Sequence, residues 1–79
     1  MGKSLARRLI TIMEFAERLQ HYRKLAGVTQ TELAEYVGVL QKDISRWEKG
    51  IHKPNIDYLI KICIKLNVSA DVLLGLKSE

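Results

Sequence analysis

The chain has 79 residues, of which 47% are hydrophobic and 28% charged, and its formal net charge is +4. Such a length forms one domain, and this apolar content excludes an intrinsically disordered chain, while the surplus of basic residues suits a polyanionic partner. No apolar stretch approaches the ~20 residues of a membrane span, and a single cysteine excludes an internal disulfide, so we expect a cytoplasmic location.

Apolar residues recur at helical spacing along the chain, and its glycines and single proline lie mainly between the periodic segments. This pattern predicts an all-α domain. We assign residues 11–75 to the domain, residues 1–10 to a basic N-terminal arm or an extension of the first helix, and residues 76–79 to a C-terminal tail.

The first helix is predicted over residues 11–26, which carry one apolar stripe. The stripe consists of Ile12, Phe15, Ala16, Leu19, Tyr22 and Ala26. Thr11 and Glu14 have the spacing of a capping box, in which each side chain accepts a hydrogen bond from a free backbone N–H, and Gly27 suits the end of the helix.

The start of this helix allows two further interpretations. Leu5 and Leu9 continue the stripe backwards, so the helix could begin near Ser4. The β-branched, apolar residues 9–13 are also typical of a short strand.

The second helix is predicted to begin at Thr29, which forms another capping box with Glu32, and to end at Gly38. The third helix is predicted over residues 41–49 and ends before Gly50. The residues of these two helices that face the core are Leu33, Ala34, Val37, Ile44 and Trp47.

Asn55 is expected to cap a fourth helix over residues 56–66, and Ser69 a short fifth helix. The inner residues are predicted to be Leu59, Ile60, Cys63 and Leu66 in the fourth helix and Val72, Leu73 and Leu74 in the fifth. The lone Cys63 is interpreted as a small core residue rather than a reactive or ligating thiol.

Residues 29–50 have the pattern of a helix-turn-helix. Two helices that cross steeply need a small residue at their closest point, which Ala34 supplies, and Gly38 can take the positive φ of a tight turn. Ile44 and Trp47 then hold the third helix on the core. The face that they leave free carries four polar residues, Gln41, Lys42, Ser45 and Arg46.

This free face suits the major groove of DNA. Gln41 can offer a donor and an acceptor to adenine, and Arg46 or Lys42 can bind guanine. Lys49 and Lys53 suit phosphates, which fix register without reading sequence. Each residue alone would equally fit a solvated helix face, but the set inside this motif favours DNA contact.

The sequence resembles the phage-repressor-type, or XRE-type, helix-turn-helix proteins, the group of the lambda and Cro repressors. The matching residues are Gln30-Thr-Glu-Leu-Ala34, Gly38, Ile44-Ser-Arg-Trp-Glu48-Lys-Gly50, Pro54 and Leu66-Asn-Val-Ser69. The resemblance covers residues 15–75 and implies a five-helix fold, bacterial or phage origin, and transcriptional repression or regulation by a DNA-bound homodimer on a palindromic operator.

Carried over by position, the resemblance puts the base-reading residues on the four polar side chains of the third helix and a phosphate contact on Gln30. It also pairs Glu48 with Arg23 in a partly buried ion pair, which the place of Glu48 next to the inward Trp47 favours over two surface charges. The arm residues Lys3, Arg7 and Arg8 are interpreted either as contacts to neighbouring DNA or as a frayed segment.

The chain departs from the family pattern at the start of the third helix. Leu40 stands where the family usually has Ser or Thr as a cap, and Asp43 is expected to compensate by meeting the positive end of the helix dipole. Leu40 could touch a thymine methyl group, and Asp43 could accept from cytosine or be repelled by phosphate.

The fifth helix and residues 73–76 are apolar enough to form a dimer surface. The alternative function is a protein-interaction module, such as an antitoxin component, that uses this fold to bind a toxin or another regulator. His21 and His52 lack Cys or acidic partners at metal-ligand spacing, and Ser45 has no base in a suitable local arrangement. We expect no cofactor, no metal and no enzymatic activity.

Overall fold

The computed structural model describes residues 14–77. This part of the chain contains five helices and no strand. The helices are α1 (Phe15–Leu25), α2 (Gln30–Val37), α3 (Gln41–Glu48), α4 (Ile56–Leu66) and α5 (Ala70–Leu73). The predicted all-α, five-helix fold is therefore confirmed. The longest helices between residues 14 and 77 have 11 residues, too few to cross a bilayer.

One hydrophobic core joins the helices. α3 packs against α1 and α2, α4 packs against α2, and α5 closes the structure against α1 and α4. The buried apolar side chains are Leu19, Tyr22, Leu33, Ala34, Val37, Ile44, Trp47, Ile62, Leu66, Val72 and Leu73. Every helix contributes to this set. α3 has only eight residues and would not be stable alone in water, so its contacts with the core stabilise it.

Three of the helices begin at the predicted side-chain caps. Thr29 Oγ1 accepts from the Glu32 N–H at 3.0 Å, Asn55 Oδ1 from Tyr58 N–H at 2.8 Å, and Ser69 Oγ from Val72 N–H at 3.2 Å. Glu32 completes a capping box, because its carboxylate accepts from the Thr29 N–H at 2.9 Å. These bonds satisfy backbone donors that the first turn of a helix leaves free.

The pKa of the Glu32 carboxyl is lowered below its usual value, mainly by the hydrogen bond that it accepts from the Thr29 backbone N–H. A lowered pKa in the folded chain means that the charged carboxylate stabilises the start of α2 at neutral pH. That contribution is lost as the pH falls through the lowered pKa.

The predicted start of the first helix is wrong. Glu14 has extended backbone angles, φ −67° and ψ 161°, so α1 begins at Phe15. The Glu14 N–H donates to Glu17 Oε1 at 3.1 Å, so Glu14 is the N-cap residue of α1 and Glu17 occupies its third position. Thr11, the arm residues at 3, 7 and 8, the alternative strand at 9–13 and residues 78–79 of the tail lie outside the described residues.

The predicted inner face of the fourth helix is partly wrong. Ile60 is 53% exposed, whereas Ile62 is completely buried, and Leu66 is buried as predicted. Isoleucine occurs on several sides of this helix, so apolar spacing alone did not decide which side packs against α2 and α5. Leu74, predicted to face inward, is 40% exposed because it follows the last turn of α5.

Arg18 connects the two ends of the described chain. Its side chain is buried in α1, with Nε donating to the Leu73 carbonyl at 2.8 Å and Nη2 donating to the Leu74 carbonyl at 3.0 Å. Gly75 has φ +80°, where an L-residue would be strained, and a Cβ there would lie 2.7 Å from Arg18 Cζ, so the guanidinium would have to shift. No role was predicted for Arg18 from the sequence.

We expect Trp47→Ala to lower the free energy of unfolding by ~3–5 kcal/mol, because the side chain is buried and its removal leaves a cavity. Urea unfolding followed by circular dichroism measures this change. The matched control is Tyr36→Ala on α2, where the ring is 45% exposed and the loss should be well below that range. Equal losses in the two variants would contradict the packing of α3 through Trp47.

Candidate nucleic-acid interface

The turn between α2 and α3 is made by residues 38–40. Gly38 has φ +89°, and its N–H donates to the Ala34 carbonyl at 2.8 Å. The Val39 N–H donates to the same carbonyl at 3.0 Å. An L-residue at φ +89° would cost roughly 1–2 kcal/mol, so glycine lets the chain leave α2 and enter α3 without strain. Ala34 is 2% exposed, as close packing of two crossing helices requires.

α3 has one buried and one exposed side. Ile44 is completely buried, and Trp47 is 6% exposed with its ring centroid 5.8 Å from that of Tyr58. The other side carries Gln41, Lys42 and Arg46 as exposed residues and Ser45 as a half-buried one. The four polar residues that the sequence assigned to one face therefore lie away from the core.

The first turn of α3 has no side-chain cap at Leu40, which is 60% exposed. Asp43 compensates, because its Oδ2 accepts from the Leu40 N–H at 2.9 Å. Leucine cannot supply the reciprocal bond, so this is one half of a capping box. One carboxylate oxygen of Asp43 is thereby occupied by the backbone of its own helix.

A buried ion pair joins α1 to α3. Arg23 Nη2 donates to Glu48 Oε1 at 3.0 Å, and Arg23 Nε donates to Glu48 Oε2. The side chains of Arg23 and Glu48 are 10% and 2% exposed. The remaining arm of the guanidinium, Nη1, donates to the Val28 carbonyl at 2.9 Å. The pair thus also fixes the link that leads into α2.

Two glutamines extend this ion pair to the surface. Gln30 Nε2 donates to Glu48 Oε1 at 3.0 Å, and Gln41 Nε2 donates to Gln30 Oε1. Within residues 14–77, the Gln41 oxygen and its second amide hydrogen have no hydrogen-bond partner, so both can face a ligand. Gln30 and Gln41 were predicted from the sequence as two separate DNA contacts. Their hydrogen bond could have been predicted because each is the first residue of one of two crossing helices.

The exposed cations of this region lie on α3 and in the loop after it. They are Lys42, Arg46, Lys49 and Lys53. Of the two acidic residues of α3, Glu48 is paired with Arg23, and Asp43 is half-buried and bonded to backbone. The outer surface of α3 and its following loop is therefore dominated by positive charge, which is the electrostatic condition for a phosphate backbone.

No group of three His, Cys, Asp or Glu residues that could hold a metal ion occurs within residues 14–77. Cys63 is half-buried against the core, and burial raises the pKa of its thiol. A raised pKa keeps the thiol protonated at neutral pH, as expected for a core residue.

A helix-turn-helix family model matches residues 19–73 of the chain. The chain belongs to the phage-repressor, or XRE, type of helix-turn-helix proteins. Among curated proteins it is similar to the transcriptional regulator ImmR of Bacillus subtilis, with 38% identity over 63 residues that make up 80% of this chain and 50% of ImmR. The chain spans about half the length of the curated relatives that it matches.

Two solved structures of repressor-type domains share its fold. The P22 c2 repressor in complex with a synthetic operator has a TM-score of 0.74 and 34% identity, covering 78% of this chain and 94% of that one. The biofilm regulator SinR in complex with DNA has a TM-score of 0.67 and 34% identity, covering 80% and 98%. These similarities do not favour the alternative of a protein-interaction module.

We expect Glu48→Ala to lower the free energy of unfolding by ~3–5 kcal/mol, because it leaves the buried Arg23 guanidinium without its counter-charge. Glu35→Ala is the matched control, since Glu35 is an exposed glutamate on α2. Urea unfolding at neutral pH compares the two variants. If both lose less than about 1 kcal/mol, the ion pair does not hold α3 in place.

Proposed function

We propose that this protein is a sequence-specific DNA-binding transcriptional regulator that acts as a repressor in the cytoplasm. It binds a palindromic operator as a homodimer, with α3 of each copy in the major groove. The observation that carries the proposal is the outward amide of Gln41, held at the start of α3 by Gln30 and, through it, by the buried Glu48.

Gln41 is proposed to read adenine. Its free oxygen accepts from the adenine N6 amino group while its second amide hydrogen donates to N7, which makes a bidentate contact. Gln30 already orders this side chain in the unbound protein. Ordering a long side chain at an interface costs ~0.5–1.5 kcal/mol, so an amide held in advance gains affinity.

The other contacts divide into two kinds. Arg46 and Lys42 lie exposed on α3 and suit guanine, whose O6 and N7 are both acceptors, and Ser45 can bond to either kind of base edge. Lys49 and Lys53 follow the helix and are proposed to bind phosphates, and Gln30 does so at the start of α2. The phosphate contacts fix register, and the base contacts give specificity.

The similarity to known regulators supports this assignment. The P22 c2 repressor and SinR, which have the same fold, were solved with DNA. A domain of this size reads few base pairs, so a homodimer that places two recognition helices in successive grooves about 34 Å apart would supply the missing specificity. The basic surface of α3 and its loop favours DNA, whereas an apolar surface or one interrupted by acidic residues would favour a protein partner.

We expect Gln41→Ala to weaken binding to a duplex that the unaltered protein selects from a random pool. Loss of one bidentate contact corresponds to ~1–3 kcal/mol, or about tenfold to hundredfold in Kd. Gln20→Ala, at an exposed glutamine of α1, should leave Kd unchanged. Fluorescence anisotropy at fixed salt measures both. An unchanged Kd in Gln41→Ala would remove Gln41 from base recognition.

We expect log Kd to depend linearly on log salt, with a slope near 0.9 for each phosphate contacted. A dimer that contacts ~4–6 phosphates per copy should therefore bind far more weakly when salt is raised from 50 to 200 mM. Lys53→Ala should reduce the slope by about one for each copy and should weaken binding to all sequences equally. Lys24→Ala on α1 is the control. A flat salt response would rule out phosphate binding as the source of affinity.

A further inference from the structure

α4 carries a row of exposed isoleucines that neither the core nor the proposed DNA surface uses. Ile56, Ile60 and Ile64 are 74%, 53% and 62% exposed. Residues four apart lie on one side of a helix, so the three side chains form one line along α4. The opposite side of α4 packs against α2 and α5 through Ile62 and Leu66. We call this line the isoleucine row.

The isoleucine row is a better dimer surface than the one expected from the sequence. That expectation rested on the fifth helix and residues 73–76, but Val72 and Leu73 are buried and the Leu73 carbonyl accepts from Arg18. Only Leu74 and Leu76 of that segment are exposed. Contiguous apolar side chains on the surface of a small soluble protein mark an interaction site more often than isolated ones do.

We propose that the occupant of the isoleucine row is the same row of a second copy of this chain, packed antiparallel across a two-fold axis next to Ile60. The inference rests on the homodimer clause of the proposed function and names the surface that makes the dimer. A two-fold interface presents the same patch twice, so the patch must be complementary to itself.

The spacing of the row meets this requirement. When the axis passes Ile60, a residue at a given distance before it faces the residue at the same distance after it. Ile56 of one copy then faces Ile64 of the other, and the two Ile60 side chains meet at the centre. Every isoleucine of the row is covered by an isoleucine, and no polar residue is forced into the contact.

The charges beside the row select the antiparallel arrangement. Asp57, Lys61 and Lys65 form the neighbouring line on α4, one position further along the chain. In the antiparallel pair, Asp57 of each copy lies beside Lys61 of the other, and the two Lys61 are the like charges that come closest. Lys65 contributes less, because its ammonium lies over the Tyr36 ring of its own copy, 5.4 Å from the ring centroid. In a parallel pair the two charged lines would lie on opposite sides of the contact, so Asp57 of one copy would not meet Lys61 of the other. Complementary charges mainly fix orientation, while the isoleucines supply the affinity.

The expected dimer is weak. Stable interfaces bury about 800 Å² on each partner, and three side chains cover only part of such an area. We therefore expect monomer and dimer to exchange at micromolar concentration without DNA. Binding to a palindromic duplex would then favour the dimer, because each copy raises the local concentration of the other.

Cysteine cross-linking of the full chain tests this geometry without DNA. In a Cys63→Ala background, Ile60→Cys should form a disulfide-linked dimer on mild oxidation, because two-fold symmetry brings the two thiols together. Ile56→Cys and Ile64→Cys should each link poorly alone but link to one another when mixed. Leu25→Cys, at an α1 position that is 69% exposed, is the control and should stay monomeric. Circular dichroism verifies that each variant folds.

Sedimentation provides a second readout. Ile60→Lys should raise the dimer dissociation constant at least tenfold, whereas Leu25→Lys should not change it. Neither exposed substitution should alter the melting temperature measured well below the dimer dissociation constant, where the chain is monomeric. Self-linking of Ile56→Cys that exceeds that of Ile60→Cys would replace the antiparallel pair by a parallel one and overturn the proposal.

A protein that stays monomeric at all concentrations would also overturn the proposal. The reactivity of the Ile60→Cys thiol then shows whether the isoleucine row is covered or exposed. Protection of this thiol from a maleimide reagent would mean that another part of the same chain covers the row, and free reaction would mean that the row is bare. Specific DNA binding without cross-linking would contradict the isoleucine interface and leave the proposed function intact. Cross-linking without DNA binding sinks the proposed function and leaves the isoleucine interface standing.

Discussion

The ion pair between Arg23 and Glu48 connects the core of this protein to its outer surface. Glu48 is the last residue of α3, and its carboxylate receives hydrogen bonds from α1 through Arg23 and from α2 through Gln30. Breaking such a pair costs ~3–5 kcal/mol, mostly through the charge left behind, so the side chains resist separation even though the pair itself adds little net stability. Its main effect is to specify one orientation of α3 relative to the two helices beneath it.

That orientation matters because α3 has only eight residues and would not form alone in water. Ile44 and Trp47 supply the apolar contacts that press the helix onto the core. Apolar contacts tolerate sliding and rotation more readily than a directional pair of hydrogen bonds does. The apolar contacts and the ion pair together hold α3 in one orientation. The Gln41 side chain is fixed in addition by its hydrogen bond to Gln30. Specific recognition of a base edge depends on such prior placement, since a loosely held amide gives up part of its binding energy to ordering.

The parts of this structure that the sequence predicted are those set by neighbouring residues. A cap at Thr29, Asn55 or Ser69 needs only a side chain and a backbone N–H three residues on, so its signature lies within one turn of the chain. The parts that it missed depend on which distant segments meet. The choice between Ile60 and Ile62 as the inner residue was made by the packing of α4 on α2 and α5. Likewise, the role of Arg18 depends on the carbonyls of Leu73 and Leu74, which are 55 and 56 residues further along the chain.

The error at Ile60 and the proposed dimer have the same origin. A helix that meets only one partner needs an apolar stripe on one side, and α4 has isoleucines on a second side as well. Within a single copy the second apolar side has no partner. The spacing of apolar residues therefore does not tell which side of α4 faces the core. The ambiguity disappears if α4 has two partners, α2 and α5 on the inside and another α4 on the outside. Ile60, which misled the prediction of the core, would then lie at the centre of the proposed contact between two copies.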